Sequence, residues 1–222
     1  MVDGPVVSGN APLTGARRRL VEELRAKGIA DAAVLRAIEL TPRHLFVPSG
    51  VRHRAYEDAP LPIGNAQTIS QPFVHARSLE LLAIQPDDRV LEVGTGSGYQ
   101  TALLTHLAKE VFSVERLAPL LTQAEAVVRT AGALNVEFAC RDGTGGWPER
   151  APFNAIVVSA GAPEVPQPLI DQLVDGGRLL TPVGGRDNQH LVLVVRRGER
   201  STRQVYDPVR FVPLVGSHGW DA

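Results

Sequence analysis

The chain has little of what several classes of protein depend on. It holds one cysteine, Cys140, in 222 residues, which excludes an internal disulfide and leaves nothing that resembles a thiolate metal site. No apolar run approaches the roughly 20 residues needed to span a bilayer. Residues 1–15 lack the basic start and apolar stretch of a secretion signal. We therefore expect a cytoplasmic protein with no bound metal, no membrane anchor and a disordered tail over residues 1–15.

Charge of one sign is also scarce. The formal net charge is −1, and the densest basic run is the short stretch from Arg17 to Arg19, which is typical of a solvated helix face. The chain thus lacks the electrostatic footprint of a nucleic-acid-binding protein. Its 222 residues, 44% of them hydrophobic, suffice for one complete core and are few for two. We predict a single domain over residues 16–222.

The apolar periodicity predicts an α/β fold. Two short amphipathic helices, the second with Asp31 as its N-cap, precede a segment over residues 43–71 that has no clear periodicity. Strands and helices then alternate: helices are predicted over 72–82, 99–108, 119–131 and 166–174, and strands over 90–93, 111–114, 136–139, 155–158 and 178–182. The runs 191–195 and 204–209 leave no room for a helix between them and predict a hairpin. These elements indicate a doubly wound, mostly parallel sheet with an antiparallel C-terminal edge and an N-terminal helical extension.

A glycine-rich loop follows the first strand of this alternation. Gly94, Gly96 and Gly98 stand at alternate positions, and glycine lets the backbone turn tightly and approach a ligand closely. Tyr99 occupies the place of the third glycine of the dinucleotide motif G-x-G-x-x-G, which disfavours a nicotinamide or flavin site. Glu115 ends the next predicted strand about 20 residues after the first glycine, where an acidic residue typically binds a ribose. A tight turn without a ligand and an exposed acid at Glu115 remain the alternative interpretations.

Several motifs resemble those of a known family. The spacing G-x-G-x-G, with Glu92 two residues before the first glycine, resembles motif I of class I S-adenosylmethionine-dependent methyltransferases. The segment L-P-I-G-N-A-Q-T-I-S-Q-P over residues 61–72 closely resembles the substrate and catalytic segment of protein-L-isoaspartate O-methyltransferases. Three further stretches match in order: T-P-R-H-L-F-V-P over 41–48, A-P-F-N-A-I-V-V over 151–158 with P-E-V-P over 163–166, and V-R-F-V-P-L over 209–214. The resemblance spans roughly residues 17 to 216.

This resemblance implies a repair enzyme. The expected reaction transfers a methyl group from S-adenosyl-L-methionine to the α-carboxylate of L-isoaspartyl residues in damaged proteins or peptides, leaving S-adenosyl-L-homocysteine; the ester then closes to a succinimide. A carboxyl methyltransferase dedicated to one peptide is the alternative. Residues 16–71 would form the N-terminal helices and substrate loop, and residues 72–222 the cofactor-binding sheet. We expect a monomer whose partners are isoaspartyl-containing proteins and peptides.

Carried over position by position, the resemblance also implies site residues. It makes Ser70 the catalytic serine. The implied cofactor-binding residues are Gln67, Thr68, Ile69, His75, Glu92, Gly94, Thr95, Gly96, Ser97, Gly98, Glu115, Asp142 and Gly143. The implied substrate-binding residues are Ile63, Ala66, Phe211, Val212 and Pro213.

The same residues have plainer interpretations. Ser70 could be a helix N-cap, His75 an ordinary helix residue, and Asp142 with Gly143 a turn. The sequence also departs from the family pattern at Ala66, where many members have glycine, and at Asn154, where many have aspartate. If position 66 requires a positive φ, alanine there costs on the order of 1 kcal/mol.

Overall fold

The structure is a computed structural model that describes residues 11–221. Its α-helices are α1 Ala11–Ala26, α2 Ala32–Leu40, α3 Pro72–Leu82, α4 Tyr99–Thr105, α5 Ala118–Thr130 and α6 Gln167–Asp171. Its strands are β1 Leu61–Gly64, β2 Gln67–Ile69, β3 Arg89–Val93, β4 Glu110–Glu115, β5 Val136–Cys140, β6 Phe153–Val158, β7 Leu173–Gly184, β8 Gln189–Arg197 and β9 Arg200–Val209. Short 3₁₀ turns cover Arg43–Leu45, Ser49–Arg54, Gly143–Gly145 and Pro148–Arg150.

Seven strands form the central sheet, in the order β5-β4-β3-β6-β7-β8-β9. The pairs from β5 through β7 are parallel, whereas β8 pairs antiparallel with both β7 and β9. The predicted α/β class, the mostly parallel sheet and the antiparallel C-terminal edge are therefore confirmed. The predicted hairpin is confirmed as well, since Arg197 pairs with Arg200 across a turn.

Alternation of side chains along the inner strands divides the core into two layers. Val90 and Val111 pack on one face with the helices α1 to α5, while Leu91 and Phe112 pack on the other face with α6. Because both faces of the parallel strands are covered, these strands read as nearly continuous apolar runs. None of the helices within residues 11–221 is long and apolar enough to cross a membrane.

The predicted tail needs a correction where the structure describes it. Residues 1–10 lie outside the described residues, but α1 begins at Ala11, so residues 11–15 are helical. Residues 1–15 hold two prolines and three glycines, a composition that favours a loose tail. Proline in a first helical turn lacks only an N–H group that has no partner there.

The segment over residues 43–71 has more structure than the sequence predicts. It holds two 3₁₀ turns and the two-stranded hairpin β1–β2. These elements are three to six residues long, too short to produce a detectable period. The predicted helix over 166–174 is also too long, because α6 ends at Asp171 and β7 begins at Leu173. The sequence reading placed the strand after Gly177, whereas β7 runs through both glycines at 176 and 177 with an irregular register.

Candidate active site

The candidate site lies at the carboxyl edge of the parallel strands, where open α/β sheets bind their ligands. β3 ends at Val93 and leads into Gly94, β4 ends at Glu115, and β6 ends at Val158 and leads into Ser159. Since β4, β3 and β6 are neighbours in the sheet, these three strand ends meet at one place.

A cleft at this edge, here called the cofactor cleft, brings together most of the predicted cofactor-binding residues. The predicted residues that line it are Gln67, Thr68, Ile69, His75, Gly94, Thr95, Gly96, Ser97, Glu115 and Gly143. Gln100, Arg116 and Ser159 also line it and were not predicted. Ser159 follows an inner strand directly, so its position was a usable signal. Gln100 lies within α4, and no sequence pattern distinguishes it.

Gly94 and Gly96 give the loop after β3 its shape. Their φ angles are 95° and 53°, in the left-handed region that a Cβ atom disfavours. The backbone N–H groups of Gly94 and Thr95 both donate to the carbonyl oxygen of Val114, over 2.8 and 3.2 Å. A Cβ at either glycine would meet no atom closer than 3.5 Å. Backbone conformation, rather than crowding, therefore requires glycine at these two positions.

Gly98 stands at the start of α4. It is not among the described residues that line the cofactor cleft, and it is the N-cap of α4 with a φ of 82°. A Cβ at this position would lie 2.7 Å from Cγ2 of Val128 and 3.2 Å from Cβ of Ala124. The third glycine thus allows α4 to pack closely against α5.

Glu115 lies beside the glycine loop. One carboxylate oxygen accepts a hydrogen bond from the N–H of Gly96 over 3.1 Å, and the other accepts one from the N–H of Leu117 over 3.0 Å. A carboxylate offers about four lone-pair sites, so acceptor capacity remains on the side of the cleft. This arrangement suits a ligand with neighbouring hydroxyl groups.

Glu92 lies beneath the loop instead of in the cleft. Its carboxylate is fully buried and accepts hydrogen bonds from Oγ1 of Thr101 at 2.5 Å, Oγ of Ser113 at 2.6 Å and Nε2 of Gln100 at 3.3 Å. Burial raises the pKa of Glu92 to about 7. Oγ1 of Thr95 lies 2.6 Å from Oγ of Ser113. Glu92 therefore supports the loop through the hydroxyl of Ser113. It is not among the described residues that line the cleft.

Gln100 connects the loop support to His75. Its Nε2 donates to Oγ of Ser159 over 2.7 Å as well as to Glu92, so its Oε1 accepts from Nδ1 of His75 over 3.0 Å. This network assigns the imidazole proton to Nδ1. Burial, aided by the nearby charge of Arg43, lowers the pKa of His75 to about 3. The ring is therefore neutral at neutral pH and a poor general base.

Ser70 lies between β2 and α3, at the point where two cavities meet. The N-cap of α3 is Gln71, so the helix-cap interpretation of Ser70 does not hold. No hydrogen bond within residues 11–221 engages the Ser70 hydroxyl, which leaves it able to donate to a ligand.

The second cavity is a groove of about 1010 Å³ on the outer side of Ser70. We call it the substrate groove. It runs between α3, the start of β8 and the end of β9, and its apolar lining includes Phe73, Val74, Leu191 and Val209. The residues that line both this groove and the cofactor cleft are Thr68, Ser70, Ser159, Val212 and Pro213. We call these five residues the junction.

The predicted substrate-binding residues are only partly brought together. Phe211, Val212 and Pro213 line the substrate groove. Ile63 is buried in the core next to the glycine loop, and Ala66 is exposed at the β1–β2 turn. Neither of these two is among the described lining residues of the groove.

Asp142 and Gly143 are neighbours in sequence but differ in what they contact. The carboxylate of Asp142 accepts from the N–H of Thr144 at 2.9 Å and from the N–H of Ser217 at 2.8 Å, so it caps the following turn and anchors the C-terminal segment. It is not among the described residues that line the cofactor cleft, whereas Gly143 is. A Cβ at Gly143 would lie 2.6 Å from Cγ1 of Val93, which explains the need for glycine.

The cofactor cleft suits S-adenosyl-L-methionine in its chemistry. The Glu115 carboxylate can accept from ribose hydroxyl groups. The ring of His75, which is neutral, forms part of the cleft wall. The glycine loop presents backbone rather than side chains. Residues 11–221 hold no cluster of three or more His, Cys, Asp or Glu side chains placed to bind a metal ion.

Comparison with known proteins gives a consistent result. The family model described as protein-L-isoaspartate(D-aspartate) O-methyltransferase matches residues 15–219. A Methanoregula boonei protein named protein-L-isoaspartate O-methyltransferase is 50% identical over 211 residues, which are 95% of this chain and 97% of the relative. A protein of the same name from Pseudomonas aeruginosa is 54% identical over 200 residues, which are 90% of this chain and 95% of the relative.

Solved structures agree. One named protein-L-isoaspartate O-methyltransferase superposes with a TM-score of 0.84 at 30% identity, covering 91% of this chain and 67% of that chain. A Plasmodium falciparum protein, described as a candidate protein-L-isoaspartate O-methyltransferase and solved with S-adenosyl-L-homocysteine, gives a TM-score of 0.78 at 25% identity. That match covers 88% of this chain and 96% of the other.

Proposed function

The chain belongs to the protein-L-isoaspartate(D-aspartate) O-methyltransferase family, and we propose that it methylates the α-carboxylate of L-isoaspartyl residues in proteins and peptides. One observation carries this proposal beyond family membership: the cofactor cleft and the substrate groove meet at a common wall. A methyl donor in the first cavity and a carboxylate in the second would thus face each other at Ser70.

The chemistry needs no general base. A peptide α-carboxyl group has a pKa of roughly 3.3–3.7, so the nucleophile is ionised at neutral pH. S-adenosyl-L-methionine supplies an electrophilic methyl group on a sulfonium; the bond from that carbon to sulfur breaks as the bond to the carboxylate oxygen forms. The products are a methyl ester and S-adenosyl-L-homocysteine, and no proton is transferred. The neutral, weakly basic His75 is consistent with this requirement.

The protein contributes orientation. Holding the reacting groups in line supplies about 7–11 kcal/mol of the barrier in well-oriented systems. The hydroxyl of Ser70 would donate a hydrogen bond to the substrate carboxylate, a contact with a charged group that is worth roughly 1.5–3 kcal/mol. Phe211, Val212 and Pro213 would hold the peptide, and the glycine loop, Glu115, His75 and Gly143 would hold the cofactor.

The ester then closes to a succinimide without help from the enzyme, and hydrolysis returns part of it to aspartate. The protein would therefore act in the repair of damaged proteins. We further infer a cytoplasmic monomer. Support comes from the single cysteine and from the scattered positions of the strongly exposed large hydrophobic side chains within residues 11–221, which are Leu40, Leu134 and Val205.

One experiment tests the proposed function. Purified protein is incubated with methyl-labelled S-adenosyl-L-methionine and a matched pair of peptides that differ only in isoaspartate against aspartate, and base-labile methyl ester is counted. Label on the isoaspartyl peptide alone is expected. Equal labelling of both peptides would contradict the proposal, and so would no labelling of either. The assay is repeated with isoaspartyl peptides of other flanking sequence, and label on only one of these sequences would indicate a dedicated peptide substrate instead.

A further inference from the structure

Arg43 is a charged residue in the core for which the proposed reaction so far has no role. It begins the 3₁₀ turn after α2, in the stretch T-P-R-H-L-F-V-P, and its side chain is fully buried. Most buried charges in proteins are paired. Within residues 11–221, no carboxylate lies within ion-pair distance of the Arg43 guanidinium, although twelve other ion pairs are formed there.

The nearby acid is already engaged. Asp58 is the carboxylate whose charge acts on Arg43, but its two oxygens accept from Nζ of Lys27 at 2.7 Å and from the N–H of Phe73 at 2.7 Å. Burial lowers the pKa of Arg43 to about 10, so the guanidinium remains charged at neutral pH. An unpaired cation in the interior is costly, and an apolar side chain of similar size would be cheaper for stability alone.

The contacts of Arg43 point toward the active site. Its Nη2 donates a hydrogen bond of 2.8 Å to the carbonyl oxygen of Ser70. Its guanidinium lies over the ring of Tyr99, 4.7 Å from the centroid. Tyr99 is the first residue of α4, directly after the glycine loop. One side chain thus connects the serine at the junction with the helix that follows the cofactor loop.

The direction of the Ser70 contact matters for catalysis. The bond reaches the backbone of Ser70, so the hydroxyl stays free, and the peptide unit that carries it is fixed by a rigid planar donor. A substrate carboxylate at the junction would meet a hydroxyl donor whose position is fixed before the substrate binds.

We propose that Arg43 is a positioning residue for methyl transfer, which holds the Ser70 backbone so that its hydroxyl is fixed to donate to the anionic nucleophile at the junction. The inference rests on the proposed function, because it assigns Arg43 to the same carboxylate that Ser70 would bind.

A double-mutant cycle tests it. Arg43→Met, Ser70→Ala and the double variant are assayed with the isoaspartyl peptide, beside Arg36→Met as a matched control on the exposed face of α2. Arg43→Met is expected to lower kcat/KM about 10- to 100-fold, and to lower it no more than about 3-fold in the Ser70→Ala background. Affinity for S-adenosyl-L-homocysteine should stay within about 2-fold of wild type in every variant, and Arg36→Met should match wild type.

Three results would overturn the inference. The first is a kcat/KM of Arg43→Met within about 3-fold of wild type, and the second is an equal loss of kcat/KM with and without the Ser70 hydroxyl. The third is a parallel loss of affinity for S-adenosyl-L-homocysteine. If Arg43→Met does not fold, Arg43→Lys replaces it in the cycle. Lysine keeps the charge without the planar donor, so a smaller loss of about 3- to 10-fold is expected, again confined to the background that retains the Ser70 hydroxyl.

Amide hydrogen exchange makes the test independent of the assigned activity. Exchange of the backbone amides from Thr68 to Phe73 should be faster in Arg43→Met, or in Arg43→Lys, than in Arg36→Met. Unchanged exchange would overturn the inference even if the enzyme is active. If wild type methylates no isoaspartyl peptide, the proposed function fails, while the exchange comparison still decides whether Arg43 holds the segment.

Discussion

The polar side chains of the site differ in how many hydrogen bonds they already form with the protein. The hydroxyl of Ser70 is half-buried and unengaged within the described residues, whereas the carboxylates of Glu92 and Asp142 accept three and four hydrogen bonds from neighbouring donors. A group with free hydrogen-bonding capacity at a cavity wall can bind a ligand. A carboxylate that accepts several bonds from its neighbours instead fixes the loops around it.

Replacing Ser70 with alanine should separate binding from turnover. Loss of one hydrogen bond to a charged carboxylate, worth roughly 1.5–3 kcal/mol, predicts a decrease in kcat of about one to two orders of magnitude. Affinity for S-adenosyl-L-homocysteine, measured by calorimetry, should be nearly unchanged. Ser49→Ala, on an exposed turn, is the control. Equal losses of turnover and of ligand affinity in Ser70→Ala would contradict the assigned role.

The buried carboxyl of Glu92 should make stability depend on pH. Its folded-state pKa of about 7 lies above the ordinary value of 4.5 because of burial. Its contribution to the free energy of unfolding is therefore complete below pH 4.5 and is lost as the pH rises through about 7. His75 acts in the opposite sense: its folded-state pKa of about 3 lies below 6.5, so its contribution is present above pH 6.5 and lost as the pH falls toward 3.

A substitution isolates the contribution of Glu92. The free energy of unfolding of wild type minus that of Glu92→Gln should fall by about 2 to 3 kcal/mol between pH 5 and pH 8, as measured by urea unfolding. The exposed Glu110→Gln variant should show no such fall. If the difference in the free energy of unfolding between wild type and Glu92→Gln is the same at pH 5 and pH 8, Glu92 is ionised in the folded protein at both pH values.

At the scale of single residues, the motifs predicted most of the positions that surround the cofactor cleft. The glycine loop and Glu115 were recognisable because their spacing reflects a backbone requirement. Gln100 was not, since an amide inside a helix carries no local signature. Gly98 and Asp142 were assigned to the ligand because the motif contains them; their packing and capping roles depend on α5 and on the C-terminal segment, which are distant in sequence.

Among the secondary-structure elements, the β1–β2 hairpin shows a local conflict with its sequence. Its two central residues, Asn65 and Ala66, have φ angles of 51° and 55°, and a two-residue turn with both φ values positive prefers Asn-Gly. The conditional cost given for Ala66 therefore applies, because the position does require a positive φ. Since Ala66 is exposed, no packing offsets this strain.

Ala66→Gly should therefore stabilise the protein. Relief of left-handed strain, less the extra entropy of glycine in the unfolded chain, predicts a gain of about 0.5–1 kcal/mol. The urea midpoint should rise with an unchanged slope. Ala131→Gly is a matched control, because Ala131 has a φ of −74° and its replacement should destabilise. A lower midpoint for Ala66→Gly would show that the alanine side chain contributes a contact that outweighs the strain.

The contact between α4 and α5 makes a second prediction at this scale. Gly98→Ala combines a φ of 82° with a Cβ placed 2.7 Å from Val128, so we expect a loss of about 2–4 kcal/mol from strain and overpacking. Gly96→Ala, whose Cβ would meet its nearest neighbour at 3.7 Å, should lose only about 1–2 kcal/mol. Equal destabilisation of the two variants in urea unfolding would contradict the packing role of Gly98.

The long alternating elements were predictable, and the short ones were not. Helix α3 was predicted with the bounds that the structure gives it, because proline begins it and its apolar residues recur regularly. The pieces within residues 43–71 are stabilised by the helices and the glycine loop that they contact, so no local pattern identified them. The extra length of β7 was missed because two glycines interrupt it.

For the whole molecule, the order of the strands decides where chemistry takes place. The parallel strands bring the glycine loop, Glu115 and Ser159 to one edge, while the N-terminal extension carries Ser70 and Arg43 over that edge from outside the sheet. The C-terminal segment supplies Val212 and Pro213 and completes the junction. The site thus depends on three parts of the chain that meet only in the folded molecule.

The central claim is that the two cavities meet where methyl transfer would occur. A crystal structure of the protein with S-adenosyl-L-homocysteine tests it most directly. We predict that the sulfur lies at the junction and faces the Ser70 hydroxyl, with open space continuing into the substrate groove. A ligand bound elsewhere, or a sulfur that points away from Ser70 with protein filling the space between them, would contradict the account.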